Sequence, residues 1–203
     1  MHVKRLIILM LTATLVLIGT TIFAFMHHED GLSKKINFNL ISHNNIEKTE
    51  KNFEDKWLFV YFGFTNCPKV CPTQMFVMKK VLQELKLSGH SNLVVPIFIT
   101  VDPDRDTPKI MKNYIAHFDA RIVGLTGTRK EITKVKKVFR TFSQFTQTSN
   151  DSNNGVIHSD YFYLVDPNGV LVGSYANNQD YMQLTKNIHD NLSNNIKVSN
   201  ERK

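Results

Sequence analysis

The stretch WLFVYFGFTNCPKVCPTQMFVMKKVLQELKLSG, Trp57 to Gly89, decides the fold. Residues 57–64, WLFVYFGF, form a nearly continuous aromatic and aliphatic run, the pattern of a strand buried on both faces in a partly parallel sheet. After Cys71, Pro72 suits the first helical position, and Met75, Met78, Val81, Leu82 and Leu85 recur at helical spacing until Gly89 supplies a stop. Strand, two-cysteine loop and helix therefore follow one another without a break.

Further along, LVVPIFITV at residues 93–101 reads as a second buried strand. Thr107 and Pro108 open a helix carrying Ile110, Met111, Tyr114, Ile115 and Phe118. A short strand is expected around 122–125, and Thr128 with Glu131 makes a capping box for a third helix through about residue 142. Residues 143–154 are rich in Ser, Thr, Asn and Gln and read as a flexible surface loop. Two strands at 161–165 and 170–175 flank Asp166-Pro167-Asn168-Gly169, a hairpin turn with Pro second and Gly fourth. A last helix is expected over about 180–192. Upstream, residues 27–54 are polar and Asn/Lys-rich, a tether ending in one short strand around 36–41. This order predicts one α/β domain of thioredoxin-like type, a central mixed sheet covered by helices on both faces.

A chain of 203 residues suits one such domain plus an appendage. The appendage is residues 6–26, LIILMLTATLVLIGTTIFAFM, which carry no charge and match the length of a bilayer-spanning helix. Lys4 and Arg5 precede it, so the positive-inside bias places the N-terminus in the cytoplasm and the rest of the chain outside. A cleaved signal peptide fits less well, because its apolar region is shorter and ends in a small-x-small site that Phe23-Ala24-Phe25 does not provide. The start is neither Arg- and Ser-rich nor amphipathic, unlike a mitochondrial transit peptide. The expectation is a single-pass anchor over residues 1–30 in a bacterial inner membrane, with a domain at 31–203 in the periplasm.

The net charge of +7 is a mild excess. With no long Lys/Arg block or basic-aromatic alternation, the sequence speaks against nucleic-acid binding.

Only two cysteines are present, Cys67 and Cys71, four positions apart. Disulfide-stapled folds spread many cysteines along a short chain, so this pair points to redox or metal chemistry. A thiol at a helix N-terminus has a lowered pKa and becomes available as a nucleophile or soft-metal ligand, and Lys69 adds positive charge nearby. The pair is expected to close into a Cys67–Cys71 disulfide on oxidation. Asp102, Asp104 and Asp106 alternate like the start of a calcium loop, but Thr107 stands where Gly is needed and Asn113 where Glu is needed. They read instead as turn and cap residues, with Arg105 tying the loop through a carboxylate. His90 and His117 fall at helix ends, while His2, His43 and His189 have no partner in sequence.

FGFTNCPKVCPTQM, residues 62–75, resembles the C-P-x-x-C-P motif of the Sco/SenC family. TVDPDRDTP (100–108), GLTGT (124–128) and His158 ahead of YLVDPNG (163–169) are similar to its other signatures, in the same order. The resemblance implies a thioredoxin-like fold, a membrane anchor, and copper bound by Cys67, Cys71 and His158. Two thiolates and an imidazole suit Cu(I) and also accept Cu(II), whereas zinc usually takes a fourth ligand. It further implies a metallochaperone for the binuclear copper site of cytochrome c oxidase subunit II. The competing function is a membrane-anchored thiol–disulfide oxidoreductase that reduces the cysteines of that site, for which Cys67 and Cys71 would be the catalytic pair. A peroxidase lacks any identifiable activating neighbour for its cysteine. Lys69 departs from the acidic residue common in the family.

Overall fold

The structure, a computed structural model, describes residues 5, 10, 12, 14–20, 35–145 and 156–200. The chain divides into two compact units, Met1–Ser33 and Lys34–Lys203. In the first, the described residues 5, 10, 12 and 14–20 are helical and exposed. Most of the expected membrane span, residues 6–26, lies outside the described residues, and no helix among those described is long and apolar enough to cross a membrane.

The second unit runs β1 (Asn39–Ser42), β2 (Glu47–Thr49), a 3-10 turn (Glu50–Phe53), β3 (Trp57–Gly63), α1 (Val70–Leu87), β4 (Val94–Thr100), α2 (Pro108–Ile115) and β5 (Val123–Thr126). It continues with α3 (Arg129–Phe139), β6 (Ser143–Phe145), β7 (Val156–His158), β8 (Tyr161–Val165), β9 (Leu171–Ala176) and α4 (Tyr181–Asn200). Seven strands form one mixed sheet in the order β2-β1-β5-β4-β3-β8-β9. The parallel pairs are β3 with β4 and β4 with β5, and the outer strands join antiparallel. All seven residues of β3 are buried, as a strand covered on both faces must be. Met75, Met78, Val81, Leu82 and Leu85 form the buried stripe of α1, as their spacing predicts.

Caps open α2 and α3 where the sequence places them. Thr107 accepts the N–H of Ile110 ahead of α2, and Thr128 and Glu131 form a reciprocal capping box at α3. The hairpin turn also forms: the N–H of Gly169 donates to the carbonyl of Asp166 at 2.9 Å, and Gly169 has the positive φ of +79° that favours glycine.

Helix α1 begins at Val70, ahead of Pro72, α2 stops at Ile115, short of Phe118, and α4 runs on past 192 to Asn200; three further expectations need correction. The strand placed at 36–41 is β1, Asn39–Ser42. The third helix ends at Phe139, not near 142, because Arg140 takes a left-handed φ of 53° and closes it. The loop placed at 143–154 begins as a strand: Ser143 pairs with His158, Gln144 with Ile157 and Phe145 with Val156. Its polar composition conceals a pairing that β7 imposes from outside, and Lys136 of α3 secures it by donating to the Ser143 hydroxyl at 2.6 Å. The rest of the expected loop lies outside the described residues.

Candidate functional site

Both cysteines are free thiols at the start of α1, Cys71 buried and Cys67 half-buried. A helix leaves its first backbone N–H groups without intrahelical partners, and Lys69, at the cap position, offers no side-chain acceptor. The sulfur of Cys67 takes that role, accepting the N–H of Cys71 at 3.3 Å. Pro72, in the first turn, has no N–H to leave unpaired. The three-residue spacing thus puts one thiol just outside the helix as its anionic cap and the other inside its first turn.

The two thiols differ sharply as acids. The hydrogen bond from the Cys71 thiol, joined by the N–H groups of Cys71, Lys69 and Val70, outweighs partial burial and holds Cys67 down to about 5. The same hydrogen bond and deeper burial push Cys71 far up. At neutral pH the pair therefore carries one charge, on Cys67. Because the folded value is depressed, Cys67 contributes stability that is present above the unfolded thiol value of about 8.5 and lost as pH falls through about 5.

Alkylation of the reduced protein with iodoacetamide is accordingly expected to mark Cys67 first. The rate should stay level from neutrality to about pH 6 and fall as the thiolate is protonated around pH 5. A rate that keeps climbing toward pH 9, or first modification at Cys71, would contradict this assignment.

His158 closes the site from 87 residues away in sequence: its Nε2 lies 3.5 Å from the Cys71 sulfur. It ends β7 rather than sitting in a loop, half-buried, with its Nδ1 3.0 Å from the carbonyl of Ser159. That carbonyl can only accept, so Nδ1 carries a proton and Nε2 is the nitrogen turned toward the sulfur. The rings of Phe64 and Tyr61 meet the imidazole edge-on at 5.9 and 6.3 Å and limit its rotation.

Tyr61, read in sequence only as part of an apolar strand, links the two halves of the site. Its hydroxyl donates to Asp160 at 3.0 Å. Burial first, then Cys71 and Asp160, push the phenol far above its ordinary value, so it stays protonated. No sequence pattern separates it from its aromatic neighbours. Gly63 gives the sulfur room, since a Cβ there would stand 3.1 Å from the Cys71 sulfur and 2.9 Å from the ring of Phe98.

The acidic loop also bears on the site. Thr107, not Asp106, caps α2, while Asp102 pairs with Arg105 as expected. Asp106 is fully buried and accepts the backbone N–H of Thr65 at 3.0 Å and the hydroxyls of Thr65 and Thr100, both at 2.6 Å. It thereby ties down the chain two residues before Cys67. Asp106→Ala leaves those donors without their acceptor and is expected to cost about 2 kcal/mol, or roughly 4–8 °C in unfolding midpoint. An unchanged midpoint in a thermal melt would show that Asp106 does not hold the loop.

Among the described residues, no three His, Cys, Asp or Glu side chains already stand as a metal-holding group. What the fold does assemble is the Cys71–His158 pair, with Cys67 engaged to the backbone of Cys71. Lys69 is exposed beside them.

Comparisons with known proteins identify the family. The human "Protein SCO1 homolog, mitochondrial" is 34% identical over 142 residues, covering 70% of this chain and 47% of that protein. The chain spans about half the length of the curated relatives it matches. The crystal structure of Arabidopsis thaliana ScoI with copper bound superposes with a TM-score of 0.73 at 35% identity, covering 79% of this chain and 98% of that one. BsSco, described as having a disulfide switch and belonging to the Sco family of cytochrome c oxidase assembly proteins, superposes at 0.63 with 25% identity, covering 79% and 95%. The SCO1/SenC family model matches residues 27–193, which include both cysteines, the buried aspartates and His158, and the chain belongs to that family.

Proposed function

We propose that this protein carries copper between Cys67, Cys71 and His158 and passes it to the thiol-lined copper site of cytochrome c oxidase subunit II. The observation that carries the reading is the 3.5 Å approach of His158 Nε2 to the Cys71 sulfur. A thiolate and an imidazole sharing one metal at bond lengths of about 2.3 and 2.0 Å stand roughly 3.5–3.8 Å apart. Cys67 completes the set by turning its sulfur from the helix N–H groups to the metal. Two soft thiolates and one imidazole favour copper among the biological cations. The copper-bound relatives support the same cargo. Transfer proceeds by ligand exchange, in which an incoming thiolate displaces one ligand at a time, starting with Cys67, the more exposed sulfur.

The same reading keeps the domain outside the cytoplasmic membrane, anchored by the uncharged residues 6–26. The direct test is anaerobic Cu(I) titration of the full chain with its thiols reduced and then oxidised. Reduced protein is expected to bind one equivalent. Protein oxidised to the Cys67–Cys71 disulfide should bind none, because a disulfide sulfur is no longer a thiolate ligand. Equal binding by the two forms would remove the cysteines from the copper site.

A second reading, thiol–disulfide exchange with the cysteines of the recipient, draws on a separate observation. An ionised, half-exposed Cys67 beside a protonated, buried Cys71 is the arrangement of an attacking and a resolving thiol.

A further inference from the structure

His90 and His189 have no connection in sequence, yet their rings meet edge to face at 4.7 Å between centroids. His90 lies just beyond the C-terminal end of α1, the end opposite the two cysteines, and His189 lies on α4, which packs against α1. We propose that these two imidazoles form a second metal site, one that takes a borderline divalent cation such as Zn(II) and clamps α4 to the end of α1. The proposal is independent of the thiol site.

Three observations carry it. The first is backbone rigidity at His90. Gly89 adopts a left-handed φ of +78°, and the His90 N–H donates back to the carbonyl of Leu85 at 2.8 Å, a closure that fixes where the imidazole begins.

The second is the tautomer. The Ser88 hydroxyl lies 3.1 and 3.2 Å from the carbonyls of Glu84 and Leu85, which take its single proton. It therefore accepts from His90 Nδ1, 3.2 Å away, and leaves the His90 Nε2 lone pair for a metal. On α4 the Nδ1 of His189 lies 3.4 Å from the Ser193 hydroxyl one turn further along, a contact that orients the second ring. Outer hydrogen bonds of this kind orient metal-binding imidazoles.

The third is spacing and access. Imidazole nitrogens about 2.0 Å from one metal place their ring centroids roughly 4.5–5 Å apart when the two ligands are adjacent in the shell, the separation found here. Both rings are half-exposed and so open to water ligands, and His189 also lines a surface cavity of about 260 Å³ with Glu84, Ser88, Thr185 and Lys186. Two neutral nitrogens with water favour Zn(II), Ni(II) or Cu(II) over hard cations or Cu(I).

The test uses the full chain with Cys67→Ser, Cys71→Ser and His158→Ala, which silences the first site, titrated with Zn(II) alone. One equivalent should bind, and at free Zn(II) 100-fold above Kd the folding equilibrium should shift about 100-fold toward the native state, seen as a higher unfolding midpoint. Adding His90→Ala or His189→Gln should weaken binding more than about 10-fold and remove the midpoint rise. In the parent chain, Zn(II) should move the imidazole nitrogen resonances of His90 and His189 together. No binding by the first variant, binding that survives loss of both histidines, or two unmoved imidazole signals in the parent would each overturn the proposal.

Discussion

Cys71→Ser is expected to lower Cu(I) affinity by more than about 100-fold, beyond the 10–100-fold that loss of an outer-shell partner costs a metal site. Cys71 is the member of the proposed ligand set that touches both others: Cys67 accepts its N–H, and His158 Nε2 lies 3.5 Å from its sulfur. Serine preserves the backbone and so keeps the helix start intact, but its hydroxyl stays protonated at neutral pH and is a hard donor that Cu(I) binds poorly. The serine hydroxyl can still donate to Cys67, and the backbone N–H groups around it are unchanged, so the remaining thiol should stay reactive toward alkylation at pH 6 while copper affinity falls. Competition against a Cu(I) chelator measures the affinity. If the serine variant retained wild-type affinity, copper would have to sit elsewhere.

His158→Ala divides the two proposed activities. Losing one of three ligands leaves two thiolates that can still hold Cu(I) linearly. Cu(II), which prefers nitrogen and a fuller shell, should bind the thiol site at least about 100-fold more weakly and lose its thiolate charge-transfer absorption. The two thiols should still form their disulfide, because exchange needs no third ligand. Since the ring contacts Phe64 and Tyr61 and its Nδ1 bonds the Ser159 carbonyl, the variant should also lose about 1 kcal/mol, seen as roughly 2–4 °C in midpoint. In cells, lower oxidase activity that added copper partly restores supports carriage. Unchanged binding of both copper states with normal oxidase assembly would favour the exchange reading instead.

The central part of the fold was legible because its signals are local. The run at 57–63 marked β3, the stripe from Met75 to Leu85 marked α1, and the boxes at Thr107 and Thr128 marked where α2 and α3 begin. Where a segment owes its structure to a distant partner, the reading failed. Residues 143–145 have loop composition and become a strand only because β7 lies beside them. Arg140 ends α3 in a left-handed conformation that its residue type does not announce.

The site divides along the same line. Cys67 and Cys71 stand out in sequence, and their placement at a helix start follows from a buried strand running into an apolar helical stripe. His158 entered through a family resemblance, as one of eight histidines with nothing in its neighbourhood to mark it.

What the amino-acid sequence by itself determined is the strand–loop–helix unit, the place of the two thiols where the strand runs into the helix, and the turns and caps that space the remaining elements. These depend on interactions spanning a few residues, which hydrophobic period and capping chemistry record directly. Only the tertiary structure decided that His158 faces Cys71, that Asp106 reaches across to Thr65, that Tyr61 bridges to Asp160, and that His90 meets His189. Each of those meetings depends on strand register and on the packing of helices onto the sheet. Register is a property of two segments together, so neither segment carries it alone.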